Sequence, residues 1–328
     1  MKKIKNIGLI LTVALLATSC EKNEIVFDSR PVDGLALVQF HNEIPVPSGS
    51  AFNFLKVELN GIDVTNENRV TLDSWNAIPA RNNGDYLGRY YTTTPGTATI
   101  KLYQGTALKL VYEQSVNLQA GKQNLILYDF NKPPLVVTEP DNFIPDRQSF
   151  DTDTIEYVRF FNLLRESPGV ESPLKLQYQY QYTINPLYTL ADEAAGKIPA
   201  GKEVGDAVPA ADQVKSAWLN MGGPLAFGEN TGWQLVPIKK TGYVTQGSAR
   251  VDYRVKVVQG GVEGETMTAG DNLLICYNRS GSKQNNGYTD YWLGTIGRRY
   301  YHFFSGYRSI VSNSTTAGGV DIAQHLQK

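Results

Sequence analysis

Short alternating runs bounded by turn residues are the feature that most constrains the fold of this chain. Residues 35–40, 55–59 and 97–103 alternate apolar and polar side chains or are rich in β-branched residues, and Gly, Pro, Asn or Asp flank such runs. Helical periodicity is nearly absent. Asn60-Gly61 separates two runs and predicts a hairpin, because both central residues of a type I′ turn need positive φ. The sequence therefore predicts a mainly β protein.

Three short blocks recur in the same order in the two halves of the chain, which predicts a repeated unit. The second copy is longer by roughly 30 residues, a length that surface loops tolerate at small entropic cost. We place this insertion at residues 185–227. The matching blocks are residues 38–42 with 158–162, 98–105 with 253–260, and 120–128 with 269–277.

The composition of residues 132–154 marks the boundary between the copies, because four Pro and four Asp residues suit an exposed linker better than a core. A calcium site built from these carboxylates is the alternative to a solvated acidic linker. The predicted units are a first domain at 34–140, a linker at 141–153 and a second domain at 154–328.

One segment of the insertion has helical spacing. Pro209 opens it and Gly222 ends it, and its apolar residues recur at i, i+3, i+4 and i+7. We therefore predict a helix over residues 210–221, with Trp218 packed on the second domain, and hence a partly helical insertion. The apolar residues of this stripe are Val214, Ala217, Trp218 and Met221.

The N-terminus predicts export and lipidation. Lys2, Lys3 and Lys5 precede an apolar run over residues 7–17 that is too short to span a bilayer. Residues 17–20, Ala-Thr-Ser-Cys, resemble a lipobox. We expect a signal peptide at 1–19, lipidated Cys20 opening a polar tether at 20–33, and an outer membrane lipoprotein of a Gram-negative bacterium, at its periplasmic face or cell surface. The alternative is an ordinary signal peptide with a chance cysteine.

Charge and motif content argue against nucleic acid and against catalysis. The 31 basic and 32 acidic residues nearly balance, so nucleic acid is not an expected partner. His41, His302 and His325 lie in separate segments without zinc spacing, and no nucleophile elbow, metalloprotease helix or phosphate loop occurs. We expect no enzyme, metal or cofactor. Once Cys20 is acylated, Cys276 is the remaining thiol, and we expect it to be buried.

Residues 298–304, Arg-Arg-Tyr-Tyr-His-Phe-Phe, carry aromatic side chains on both faces of a predicted strand. One face fills the core of its own domain. The other is covered by the partner domain, covered by the insertion, or exposed for binding. The candidate ligand-binding residues are Trp292, Arg298, Tyr300, His302 and Phe304.

A second aromatic strand, residues 176–182, alternates Tyr with Gln. We expect its tyrosines in the core and its glutamines exposed, in preference to a sugar-stacking platform.

Several of these motifs together resemble the domain of unknown function 4397 family, found in envelope lipoproteins of the Bacteroidetes type. The resemblance implies two Ig-like β-sandwich domains in tandem and no established enzymatic activity, and it names no ligand. It rests on the Val-x-Phe-x-Asn openings at 38–42 and 158–162, the Asn60-Gly61 turn, residues 95–97, residues 118–122 before a strand, and residues 227–233.

These observations favour a non-catalytic cell-envelope lipoprotein that binds a glycan or an envelope protein and contacts the membrane through lipid on Cys20. The alternative is a structural subunit of a surface fibre similar to the fimbrillin family, which joins a lipobox to two β-sandwich domains and polymerises by strand exchange. A surface glycan hydrolase is a remote third, since two carboxylates suffice for that chemistry.

Overall fold

Strands dominate the computed structural model of this chain, which confirms the mainly β prediction. It describes residues 34–46, 52–64, 77–78, 90–139, 155–239, 243–258, 274–278, 280–285, 287–311 and 319–327. The predicted signal peptide, Cys20, the tether and the linker lie outside the described residues. Within these ranges no helix combines the length and apolar character needed to cross a membrane.

The first half of the chain forms two sheets. Sheet A has the order β4-β1-β8-β9, with β5 also paired to β1, and sheet B has the order β3-β2-β6-β7. The strands are β1 Ala36–Asn42, β2 Phe54–Leu59, β3 Ile62–Asp63, β4 Ala77–Ile78, β5 Tyr91–Thr93, β6 Gly96–Gln104, β7 Lys109–Leu118, β8 Gly121–Leu127 and β9 Leu135–Thr138.

The second half forms two further sheets. Sheet C has the order β11-β10-β20-β21, with β14 also paired to β10. Sheet D has the order β13-β12-β16-β15, with β19 also paired to β16, and β17 and β18 form a separate two-stranded sheet. The strands are β10 Ile155–Ser167, β11 Val170–Glu171, β12 Leu176–Tyr182, β13 Leu219–Asn220, β14 Gln234–Pro237, β15 Tyr243–Thr245, β16 Ser248–Val257, β17 Leu274–Tyr277, β18 Lys283–Asn285, β19 Tyr288–Thr295, β20 Arg299–Tyr307 and β21 Asp321–Gln327.

The same strand pairings occur in both halves. β1 pairs in parallel with β8, and β10 pairs in parallel with β20. In the other sheet β6 lies between β2 and β7, just as β16 lies between β12 and β19. The first repeated block lies on β1 in the first half and on β10 in the second, and the second block lies on β6 and on β16. These two blocks therefore mark equivalent strands.

The third block does not mark equivalent strands. Residues 120–128 include β8, whereas residues 274–277 form β17, which pairs with β18. The counterpart of β8 is β20, because each pairs in parallel with the first strand of its half. A glycine at or just before each strand also donates to the residue that opens this pairing: Gly121 N to Leu35 O (2.9 Å) and Gly297 N to Ile155 O (2.7 Å). The match between residues 120–128 and 269–277 rests mainly on a short Ala-Gly sequence. By contrast, the pairing of β20 with β10 extends over nine residue pairs and identifies β20 as the equivalent strand.

Each half packs its two sheets around its own core. In the first half, Phe40 and Leu125 of sheet A meet Val57 and Ile100 of sheet B. The second half has the larger core, and it is rich in aromatic rings, including Phe160, Tyr178, Tyr253, Trp292 and Phe304. This packing of one sheet on another is a β-sandwich arrangement.

A third apolar cluster joins the halves, and Asp33–Lys328 form one compact unit. Ile126 and Val137 of sheet A pack with Phe161, Tyr301 and Phe303 of sheet C. These residues point away from the two main cores, because neighbours along a strand face opposite sides. Sheet C is therefore covered on both faces.

The insertion differs from the prediction. Residues 210–221 are not helical: a 3₁₀ turn covers Ala210–Asp212, and the chain beyond it is extended. The helix of the insertion, α1, spans Leu190–Ala194 and begins with a capping box at Thr189.

The edge of β12 explains why residues 213–221 are extended. Ile184 N donates to Val214 O (2.7 Å), Ser216 N to Tyr182 O (3.0 Å) and Met221 N to Tyr178 O (2.9 Å). These bonds satisfy backbone groups that a helix would have satisfied internally, and they cover a strand edge.

Candidate functional site

The predicted binding strand is a buried strand. Trp292, Tyr300, His302 and Phe304 all lie in the core of the second half, and Arg298 alone of the five predicted residues is exposed. These four side chains are buried because β20 occupies the middle of sheet C between two packed layers, and Trp292 lies in the core beneath it. Aromatic content at this strand reflects burial on both faces.

The opposite face of β20 contacts the first half. The Tyr301 ring lies 5.3 Å from the His41 ring and stacks on Trp233 at 5.2 Å. Phe303 packs against both His41 and His325. Three explanations were open for the second aromatic face of residues 298–304. The structure shows that the first half of the chain covers this face.

A chain of buried polar groups, the interface network, runs through this contact. His41 Nε2 bonds Asn124 Oδ1 (2.9 Å), and Asn124 Nδ2 donates to Tyr301 Oη (3.1 Å). On its other side, His41 Nδ1 lies 2.8 Å from His325 Nδ1. Burial lowers the pKa of His41 to about 4, so its ring is neutral at pH 7.

Carboxylates complete the network. Tyr301 Oη donates to Glu139, which also accepts from Arg159 Nη1 (2.9 Å) and Trp233 Nε1 (3.1 Å). Ser305 Oγ donates to Glu43 Oε2 (2.6 Å), and burial raises the pKa of Glu43 well above its usual range. The network is buried, and its bonds connect the two halves.

Histidine spacing in the sequence gave no hint of this network, since His41 and His325 are 284 residues apart. Among the described residues, no three His, Cys, Asp or Glu side chains converge to hold a metal ion. Cys276 is buried, as predicted, and burial raises its thiol pKa to about 12.

The polar surface of the second half lies on the outer face of sheet D. In β16 the inward residues are Val251, Tyr253, Val255 and Val257, which belong to the core. The alternate residues point outward because strand side chains alternate. We call this surface the outer face, and its residues on β16 are Arg250, Asp252, Arg254 and Lys256.

One edge of the outer face carries Trp218. Its ring is half-buried, and the Arg254 guanidinium lies 4.4 Å from the ring centroid. Arg254 Nε also donates to Gln179 Oε1 (2.6 Å), and Gln179 Nε2 donates to Asn220 Oδ1 (2.6 Å). These contacts hold the guanidinium and the indole together at the surface.

The opposite edge carries Tyr291, whose side chain is 45% exposed. The Arg250 guanidinium lies 3.9 Å from the Tyr291 ring centroid, and Arg250 Nε donates to Asp252 Oδ1 (2.8 Å). Lys215 from the insertion also pairs with Asp252. Two rings, each with a guanidinium over it, thus flank a central ion cluster.

The glutamines of β12 are partly covered here, contrary to the prediction that they are exposed. Gln177 and Gln179 are buried, and the Gln177 amide donates to Gly222 O (2.9 Å). The predicted burial of Tyr178 and Tyr180 in the core is confirmed. The insertion covers the glutamines because it runs along the edge of β12.

The outer face has an excess of positive charge. Among the residues that the structure describes, Lys215, Arg250, Arg254 and Lys256 share one carboxylate on this face, that of Asp252. Burial lowers the pKa of Arg254, and burial together with Arg254 lowers the pKa of Lys256.

Sequence reasoning placed Trp218 on a helical stripe and missed the rest of this surface. A signal was present: residues 250–256, Arg-Val-Asp-Tyr-Arg-Val-Lys, alternate charged with apolar or aromatic residues. Such alternation predicts a strand with one charged face. The sequence did not reveal that Trp218 and Tyr291 flank that face.

Comparisons with known proteins do not assign this surface. No protein-family model and no curated protein matches the chain. A solved fimbrilin structure from Porphyromonas gingivalis W83 is similar at 9% sequence identity, over 90% of this chain and 98% of that chain, with a TM-score of 0.19. Similarity at this TM-score carries no argument about fold or function.

Proposed function

We propose that this protein is a non-catalytic cell-envelope lipoprotein that binds a glycan on the outer face of sheet D. The observation that supports this function is the pair of surface rings, Trp218 and Tyr291, each held by an arginine. The slightly positive C–H groups of a sugar ring suit the electron-rich face of an aromatic ring. Arginine, lysine and amide groups between the rings supply hydrogen bonds to hydroxyls.

The size and polarity of the face favour a glycan over a protein partner. Four strands, β13, β12, β16 and β19, span it, which corresponds to about 14 Å at ordinary strand spacing. A stable protein interface buries about 800 Å² per partner around an apolar centre. Here the centre is the ion cluster at Asp252, and exposed Leu293 is at the margin.

The remaining parts of the proposal come from the sequence. We propose two Ig-like sandwiches in tandem, similar to the domain of unknown function 4397 family, displayed at the outer membrane by lipid on Cys20. Several acyl chains on that cysteine make anchoring durable, because each buried methylene contributes about 0.8 kcal/mol. Recognition by sheet D then needs no enclosed pocket, since an extended glycan would lie across the exposed strands.

A glycan array probed with the purified full chain tests the proposal. We expect Trp218→Ala and Tyr291→Ala each to weaken binding about tenfold, equivalent to roughly 1.4 kcal/mol. The control is Tyr103→Ala, since Tyr103 lies on the outer surface of sheet B beside Lys56 and Glu58. Unaltered binding in both ring variants, or no glycan bound by the folded wild type, would overturn the proposal.

A further inference from the structure

We infer that the outer face of sheet D selects acidic glycans, meaning oligosaccharides that carry carboxylate or sulfate groups. This inference rests on the proposed glycan-binding function and adds the class of ligand. In the described part of the outer face, four cationic side chains surround the one carboxylate of Asp252. Because Lys215 and Arg250 already contact that carboxylate, the cationic surplus lies at Arg254 and Lys256.

The equivalent surface of the first half shows that such a surplus is not general to the fold. On sheet B, Lys56 pairs with Glu58 (2.5 Å) and Lys101 pairs with Glu113 (3.0 Å). Each of these cations has its own carboxylate partner, and Asp63 on β3 lies opposite Glu58 as a third acidic residue. Among the described residues, the same strand layout thus carries no cationic surplus in the first half and a cationic surplus in the second.

The contrast is sharpest at one pair of positions. Lys101 and Lys256 occupy the same place in the repeated block of β6 and β16. Where Glu113 lies beside Lys101, Gly287 lies beside Lys256: a Cβ added at Gly287 would be 3.1 Å from Lys256 Cδ. Among the described residues, no carboxylate lies within ion-pair distance of Lys256 or Arg254.

The geometry of Arg254 also suits an anion. Its Nε donates to Gln179, and its guanidinium is fixed over Trp218. An arginine held in this way loses little conformational freedom when it binds, and its planar fork matches carboxylate or sulfate oxygens. The adjoining indole provides stacking for the sugar that bears the charged group.

The experiment compares charged sugars with their neutral counterparts on the full chain. The probes are oligogalacturonate and its methyl ester for the carboxylate, and dextran sulfate and dextran for the sulfate. We expect the charged member of at least one pair to bind at least tenfold more tightly. Raising the salt concentration from 50 to 500 mM should weaken that binding severalfold, because exposed charges are screened.

Variants connect the preference to the surface. We expect Arg254→Gln and Lys256→Gln to remove most of the charged-over-neutral preference, whereas the matched Lys101→Gln leaves it unchanged. Equal binding of charged and neutral sugars that Trp218→Ala still weakens would overturn the acidic preference and leave glycan binding standing. A preference that survives in both cationic variants would also overturn the inference. Failure of every glycan to bind would overturn the proposed function itself.

Discussion

The Glu156 carboxyl group is buried in the second half and is held by neutral donors. Trp292 Nε1 donates to one oxygen (2.6 Å), and Thr295 N donates to the other (2.9 Å). Gly294 leaves the necessary room, since a Cβ there would lie 2.5 Å from Glu156 Oε1. Burial disfavours the charged form more than these bonds favour it, and it raises the pKa to about 8.

Because the pKa of Glu156 is raised, the free energy of unfolding should depend on pH. Between pH 4.5 and 8 the folded protein keeps a proton that the unfolded chain has lost, so the contribution of Glu156 to stability falls as pH rises. Glu156→Gln preserves an acceptor for Trp292 and does not titrate. From pH 6 to pH 9, the stability of this variant relative to wild type should rise by on the order of 3 kcal/mol.

Urea denaturation of both proteins at the two pH values measures this difference. Glu203→Gln is the control, since Glu203 is exposed in the insertion. A Glu156→Gln curve that stays parallel to wild type across this range would contradict the buried neutral carboxyl.

Individual residues show where sequence reasoning reached its limit. The burial of Cys276 followed from its apolar neighbours, because local pattern reports on one strand face. The contact between His41 and His325 did not follow, since it depends on how sheet A meets sheet C. The Arg254 and Trp218 pair likewise required the path of the insertion.

At the scale of single elements, β20 depends on a glycine where it passes close to another segment. Gly306 has φ of +132°, and a Cβ added there would lie 2.8 Å from Gly319 O and 2.9 Å from Val320 Cα. Backbone atoms cannot move aside as a flexible side chain does. The end of β20 therefore admits no side chain at this position.

Gly306→Ala should destabilise the protein by about 2 to 4 kcal/mol, the sum of backbone strain and overpacking. Gly96→Ala is the matched control, because Gly96 has a similar positive φ, at +121°, but nothing within 4 Å of an added Cβ. Thermal unfolding of the control variant measures the cost of backbone strain alone. Thermal unfolding of Gly306→Ala measures that cost together with the close contact of the added methyl group with Gly319 and Val320. Equal shifts in melting temperature would show that the close approach costs nothing.

Elements with strong local signals were predictable. The Asn60-Gly61 hairpin is confirmed, with φ of 53° and 79° at its two residues. The predicted helix over residues 210–221 failed because hydrogen bonds to the edge of β12 outweighed a helical spacing of four apolar residues. A helical pattern in the sequence predicts a helix reliably only where the backbone groups of that segment have no strand edge with which to form hydrogen bonds.

At the scale of the whole molecule, the halves meet through a buried and partly charged contact. Arg165 Nη1 donates to Asp129 Oδ2 (2.8 Å), and both side chains are buried. Tyr128 of the first half packs edge-on against Phe227 of the second at 5.6 Å. Together with the interface network, these contacts extend the joint along sheets A and C.

The sequence indicated the duplicated strand order, and β1 with β10 and β6 with β16 bear it out. It left open what covers the second aromatic face of residues 298–304. Alternation identifies two faces, but it does not identify the surface that each one meets. The boundary at 141–153 remains a prediction, since it lies outside the described residues.

Cutting the predicted linker tests how strongly the halves hold each other. With a protease site inserted after Asp146, the nicked protein should elute as one species on gel filtration, because its buried joint survives the loss of one peptide bond. Asp129→Ala should promote separation, since leaving Arg165 buried without its partner costs about 3 to 5 kcal/mol. If the nicked wild type separates in native buffer at micromolar concentration, each half is stable alone and the joint is weak. If it stays together while the nicked variant separates, the buried ion pair is part of what makes the two halves one body.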